Sequence, residues 1–139
     1  MSDGYSFTSI RGCMGFFRNL LKADPEVDFQ MALKAEIVEG NREKAAWLYD
    51  KAAKQNHPKA QCFLGYMYLK GSGVNKDVQK ALELITKSAS QGFYQAQYLL
   101  AQMYLKGVGV QQNIDEGNSW MKKFNAQGQD ASKLTFLDL

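Results

Sequence analysis

Two stretches of this chain are near copies of each other in a single register. Residues 60–74 read AQCFLGYMYLKGSGV, and residues 96–110 read AQYLLAQMYLKGVGV. The register continues past them: at the spacing that carries Ala60 onto Ala96, Lys87 falls on Lys123, Gln91 on Gln127 and Gly92 on Gly128. Self-similarity at a period of this length marks one supersecondary unit used repeatedly. Each unit has an apolar face it cannot bury alone, so neighbouring units must stack.

The pattern inside a unit predicts two helices. Ala60, Leu64, Met67 and Tyr68 form one apolar stripe at spacings of three and four, and Ala96, Leu100, Met103 and Tyr104 repeat it. A Gly-x-Gly-Val turn follows each stripe, at Gly71–Val74 and Gly107–Val110. Gly71 and Gly107 stand where a helix ends on a left-handed residue, a conformation glycine adopts cheaply. Asp77 is a suitable N-cap for the second helix, whose inward positions are Ala81, Leu84, Ile85, Ser88 and Ala89, with Gly92 ending it. In the later unit Asn113 takes the capping place, ahead of Trp120, Met121 and Phe124. The small Ala81 and Ala89 suit helices packed about 8–10 Å apart.

A degenerate copy lies upstream. Asp24 and Pro25 predict a capped helix start, with Phe29, Leu33, Ile37 and Val38 as its apolar stripe. Gly40 and Asn41 turn the chain through a shortened loop. Ala45, Leu48, Tyr49, Ala52 and Ala53 mark a second helix ending at Asn56, and His57 and Pro58 open the next unit. The units fall at about 25–57, 58–93 and 94–129, within a repeat domain over 24–139, and three units are about the minimum for a stable stack.

The motif carried by Ala60, Gln61, Leu64, Gly65, Met67, Tyr68, Gly71, Gly73, Val74, Asp77, Lys80 and Ala81 resembles the Sel-1-like repeat, a relative of the tetratricopeptide repeat. The resemblance is close over 60–128 and loose over 25–59. Ala101, Asn113 and Gly117 depart from the motif, and the upstream copy lacks the Gly-x-Gly loop. The resemblance implies an all-α fold: a right-handed α–α superhelical solenoid of about three helix-turn-helix repeats with terminal capping helices.

Residues 1–23 do not fit the repeat. Ile10, Cys13, Met14, Phe17, Leu20 and Leu21 share one helical face, with Arg11, Arg18, Asn19 and Lys22 elsewhere. That pattern predicts an amphipathic helix capping the first repeat. A basic helix lying on a membrane surface or a partner is the other reading. At the opposite end, residues 130–139 carry Leu134, Phe136, Leu137 and Leu139. They read as a truncated first helix of a fourth unit that caps the stack. The alternative is a tail folded into the protein's own groove.

Several function classes find no support in the residues. The net charge of +3 comes from 17 basic and 14 acidic residues spread along the chain, which does not predict nucleic-acid binding. No apolar run of about 18 residues exists to span a membrane, and 10–21 is broken by polar residues where a secretory signal would be continuous. The expected location is cytoplasmic. Cys13 and Cys62 read as two buried free thiols. The single histidine, His57, reads as a surface turn residue, and Glu36 and Glu39 as solvated charge. No metal-ligand cluster, phosphate loop or acid–base constellation appears, so neither an enzyme activity nor a cofactor is expected.

What remains is the surface offered by the first helices, which line the concave side of such a solenoid. Phe63, Tyr66 and Lys70 share one face of their helix, and Leu99, Gln102 and Lys106 the equivalent face one repeat on. Gln30, Lys34 and Ala35 extend the surface in the first unit. The resemblance implies that such a surface grips a peptide or protein segment, and these six residues are the candidate partner-binding set. The expected function is a protein–protein interaction module: an adaptor, scaffold or inhibitor. Bacterial proteins of this family include adaptors, factors acting on host cells and neutralising partners of secreted toxins, so an immunity-type role is an alternative. Self-association into a homodimer through an uncapped end, or a peripheral membrane role for 1–23, are further readings.

Overall fold

The computed structural model describes residues 24–139. The expected helix over 1–23, with Cys13, lies outside the described residues. Six α-helices run in order among the described residues: α1 Pro25–Ile37, α2 Arg42–Lys54, α3 Pro58–Lys70, α4 Val78–Ser90, α5 Tyr94–Lys106 and α6 Ile114–Ala126. A 3-10 segment, Ala131–Leu137, closes the described chain. Each helix packs against its neighbours in sequence, as α1/α2, α3/α4 and α5/α6 hairpins joined through α2/α3 and α4/α5. The architecture is the right-handed helical-repeat solenoid.

Side-chain caps set where five of the six helices begin, and α5 starts after Phe93 with no side-chain cap. Asp24 accepts from the Glu26 N–H, Asn41 from Lys44, Asp77 from Lys80 and Asn113 from Glu116, each side chain satisfying a free donor of the first turn. At α3 that acceptor is His57, whose Nδ1 takes the Ala60 N–H at 3.2 Å. With Nδ1 accepting, the ring proton sits on Nε2, 2.9 Å from Glu26 Oε2. His57 is therefore a half-buried cap joining α3 to α1, not a surface turn residue. Gly71 (φ 65°) and Gly107 (φ 70°) end α3 and α5 in the left-handed region, as their turn position requires.

Buried apolar side chains run through the stack in two clusters. One joins Phe29, Tyr49, Leu64 and Met67. The other joins Ile85, Leu99, Leu100, Met103 and Phe124 with Leu134 and Leu137. Tyr68 packs against both. The stripe expected on α1 is corrected at its end: Ile37 and Val38 are exposed, and Asp28, Phe29, Ala32 and Ala35 face inward. Steps of four residues along a helix turn the direction by about 40° each, so the row Phe29, Leu33, Ile37 drifts out of the core.

Small residues let the paired helices approach, and the two full repeats divide the task differently. A Cβ added at Gly65 would lie 2.7 Å from Ile85 Cγ1 and 3.2 Å from the Ala81 carbonyl oxygen. One repeat on, the glycine has moved to the other helix: a Cβ at Gly117 would lie 2.6 Å from Leu105 Cγ and 3.1 Å from the Ala101 carbonyl oxygen. Each crossing thus pairs one glycine with one alanine. The first repeat uses Ala32 and Ala45, both fully buried, at the equivalent positions.

Polar side chains lock the stacked repeats together. Gln61 and Gln97 are buried on α3 and α5. The Gln91 amide donates to Gln61 Oε1 at 2.6 Å, and the Gln127 amide to Gln97 Oε1 at 2.8 Å. Gln61 also donates to the Ala53 carbonyl of the preceding helix, and Gln97 to that of Ala89. Asn56 stands where Gly92 and Gly128 stand in the later units. It adopts their left-handed backbone at φ 64° and accepts from both Gln61 and Gln91.

Candidate functional site

The first helices α3 and α5 present equivalent faces, and the structure sorts the six candidate residues into two groups. Tyr66, Lys70, Gln102 and Lys106 converge on residues 138 and 139. Phe63 and Leu99 belong to packing. The Phe63 ring stacks on Tyr49 at 5.8 Å between centroids and 12° between planes, and lies 5.7 Å from Phe29. It joins the first repeat to the second. Leu99 is fully buried in the cluster that contains Leu134 and Leu137, so it offers no surface to a partner in this arrangement.

Residues 130–139 do not form the first helix of a fourth unit. Ala131–Leu137 is a 3-10 segment interrupted at Leu134 (φ −107°, ψ 18°), and residues 138 and 139 beyond it meet side chains of α3 and α5. The reason is visible one repeat upstream. The positions of buried Ala96 and Gln97 are held here by Ser132 and Lys133, both exposed. A lysine cannot take the place of the interlocking glutamine without burying its charge. The segment instead tucks Leu134 and Leu137 into the core beside α5.

Asp138 and Leu139 then meet a continuous row of donors. Asp138 Oδ1 accepts from the Tyr98 hydroxyl and from Gln102 Nε2, both at 3.1 Å. The Asp138 main-chain oxygen accepts from Lys70 Nζ at 3.2 Å. Gln102 uses its other end as well, taking the Leu139 N–H on Oε1 at 3.1 Å. Lys106 Nζ donates to the Leu139 main-chain oxygen at 2.6 Å. Lys70 Nζ also lies over the Tyr66 ring, 5.5 Å from its centroid. Next to Leu139 is a cavity of about 260 Å³ lined by Leu69, Lys70, Lys76, Val78, Val108 and Leu139.

The electrostatics fit this arrangement. Burial first, and the Asp138 carboxylate second, push the Tyr66 hydroxyl above its ordinary pKa. Tyr98 is raised in the same way, by burial and then by its hydrogen bond to Asp138. Both tyrosines stay neutral beside the carboxylate, and Tyr98 donates to it. Tyr98 was not among the sequence-derived candidates. Its signal was present: Tyr98, Gln102 and Lys106 are four residues apart along one face of α5.

The chemistry assembled here is that of binding. Amide, hydroxyl and ammonium donors hold main-chain oxygens and one carboxylate. Cys62 is buried, and that burial pushes its thiol far above the usual thiol range, away from the thiolate that reacts. Among the described residues no group of three or more His, Cys, Asp or Glu side chains could hold a metal ion. No helix of the described residues is long and apolar enough to cross a membrane.

Comparison with known proteins places this geometry in context. The Sel1 repeat model matches residues 28–57, 58–93 and 95–129. A crystal structure of a Sel1 repeat protein from Oxalobacter formigenes is similar at a TM-score of 0.73 and 32% identity, covering 88% of this chain and 95% of that one. A protective antigen present in uropathogenic Escherichia coli strains, described as displaying an SLR fold, is similar at a TM-score of 0.73 and 29% identity. The match covers 76% of this chain but 23% of that one. Helicobacter pylori cysteine-rich protein B shares the fold at a TM-score of 0.62 and 24% identity, over 79% of this chain and 92% of that one. No curated protein matches the chain.

Proposed function

The chain belongs to the Sel1 repeat family, whose members are generally protein–protein interaction modules, and from that premise we propose that it acts as a non-catalytic adaptor, scaffold or inhibitor. Its partner is a protein or peptide segment laid along the face of α3 and α5. Tyr66, Lys70, Gln102 and Lys106 are its contact residues, with Tyr98 added. One observation carries this reading: Lys70, Gln102 and Lys106 meet one strip of chain and hold main-chain groups of residues 138 and 139, with Tyr98 on the Asp138 carboxylate. Donors aimed at main-chain oxygens recognise a backbone whatever its sequence, as a peptide groove requires. We place the protein in the cytoplasm of a bacterial cell.

The experiment is affinity capture from source-organism lysate, comparing wild type with a folded Tyr66→Ala, Gln102→Ala variant. The proposal expects a partner held by wild type and lost, or weakened at least about tenfold, in the variant; each lost anchor at an interface is worth about 1–2 kcal/mol. Equal recovery by both proteins would place the binding face elsewhere.

Self-association is a second reading, favoured by exposed apolar side chains on the outer repeat. Val27 and Met31 lie on α1, 53% and 49% exposed, with Ile37 and Val38 beyond them. Light scattering across a concentration series separates it from a monomeric adaptor. A mass that stays monomeric up to high concentration removes this reading.

A further inference from the structure

We propose that the groove between α3 and α5 selects a protein segment in which an acidic residue is followed directly by an aliphatic one, and that Asp138 and Leu139 occupy this site as an internal competitor. The inference rests on the groove reading above and names the chemistry of its ligand.

The site divides into three parts. The first takes a carboxylate: Asp138 Oδ1 sits between the Tyr98 hydroxyl and the Gln102 amide. Two neutral donors on one turn of helix match the acceptor-only character of a carboxylate, and the nearby Lys70 and Lys106 ammonium groups disfavour a lysine or arginine there. The second part reads the backbone. Lys70, Gln102 and Lys106 engage the main chain from the acidic residue's carbonyl onward, and Gln102 bonds to both residues at once. A segment must therefore run in this one direction and register to satisfy them. The third part is apolar. Leu139 lines the cavity formed with Leu69, Val78 and Val108, while Lys70 and Lys76 form its charged edge. An aliphatic side chain fits that floor, and the lysines favour a segment carrying negative charge.

The hold on residues 138 and 139 is suited to exchange. Asp138 is exposed and Leu139 half-buried, so their contacts lie at the solvent edge. Exposed charged contacts each contribute little, because water competes for both partners. Their occupancy is maintained by tethering, since Leu134 and Leu137 are anchored in the core a few residues before. A short tether supplies an effective concentration in the millimolar range. A partner segment with the same acidic–aliphatic pair and further apolar residues for the cavity displaces it.

The test uses the full chain, labelled with ¹⁵N, and follows the side-chain amide signals of Gln102 by NMR. The opened form carries Asp138→Ala and Leu139→Ala, which leave Leu134 and Leu137 in place. A second form, Lys106→Glu, guards against an effect confined to that double variant. The probes are the peptides Gly-Ser-Asp-Leu-Leu-Gly and Gly-Ser-Lys-Leu-Leu-Gly. Expected are a shift of the Gln102 amide on opening and its return on adding the aspartate peptide. Wild type should need at least about tenfold more of that peptide, the lysine peptide should have no effect, and Lys106→Glu should weaken the response to the aspartate peptide. Gln102 signals identical in wild type and opened protein, or equal responses to both peptides, overturn the proposal. The capture experiment tells its failure from that of the groove reading. If Tyr66→Ala, Gln102→Ala loses the partner while the aspartate peptide does not bind, the groove stands and this specificity falls. If that variant keeps the partner, the groove itself falls.

Discussion

At the scale of single residues, the most informative side chains are the glutamines that recur in each full unit. Gln61 and Gln97 look like polar residues misplaced on a buried face, and the motif alone does not say why they are there. In the fold each receives a second glutamine from the end of its own hairpin and reaches back to a carbonyl of the preceding repeat. The two partners differ in exposure: Gln97 is buried, while Gln127 is exposed and can bond to water when its partner is removed. Gln97→Ala is expected to cost about 1–3 kcal/mol, through lost hydrogen bonds and a small void, and Gln127→Ala a comparable amount, because it leaves the buried Gln97 Oε1 without its donor. Urea unfolding midpoints of the two variants check this. No loss at Gln127 would show that the paired glutamines do not tie the repeats.

Among helices, the two full repeats each place one glycine at the crossing, and its place depends on what faces it. Gly65 faces Ile85, which is branched at Cβ and fully buried, so it cannot swing away from an added methyl. The equivalent crossing one repeat on has Ala101 and Met121, and methionine bends around such a methyl. Gly65→Ala gains about 1 kcal/mol of helix propensity but overpacks the crossing by about 1–3 kcal/mol. We expect a net loss in Tm for Gly65→Ala and recovery of most of it in Gly65→Ala, Ile85→Met. A higher Tm in the single variant would mean that α3 and α4 have slack the geometry does not show. At the same scale, the loop glycines serve contacts between repeats. A Cβ at Gly73 would lie 2.5 Å from the Arg42 carbonyl oxygen, and one at Gly109 2.6 Å from Val78 Cγ1. Each loop thus rests on the second helix of the unit before it.

For the whole molecule, pH dependence arises from tyrosines distributed along the stack. Tyr49 is raised by burial and by the Glu36 charge it bonds to. Tyr66 and Tyr98 are raised by burial and by Asp138. A tyrosine with a raised folded pKa contributes stability that is complete below its ordinary value of 10.0 and is lost as pH climbs toward the folded value. Above that ordinary value the unfolded chain releases its protons first, so unfolding gains. Stability is expected to hold up to about pH 9 and to fall beyond about pH 10. Tyr49→Phe should flatten that fall, since it removes the most strongly raised group. Urea unfolding at pH 9 and pH 11 measures both effects, and equal losses in wild type and Tyr49→Phe would refute the assignment to Tyr49.

The repeat and its local consequences were written in the order of the residues. Glycines at left-handed helix ends, Asp and Asn caps and stripes spaced at three and four are short-range signals, carried by residues within one turn of the feature they specify. The shared face of Tyr66 and Lys70, and of Gln102 and Lys106, was legible for the same reason. Which of the six candidates meet residues 138 and 139 and which bury themselves was settled only by the packing of the hairpins. Phe63 is drawn into an aromatic stack with rings from the repeat before it, and Leu99 into the cluster beneath Leu134 and Leu137. The same packing gave His57 its role, since its second nitrogen finds Glu26 on α1, and set the path of residues 130–139. Those outcomes depend on pairs far apart in sequence, such as Lys70 with Asp138, whose meeting is a property of how the hairpins stack.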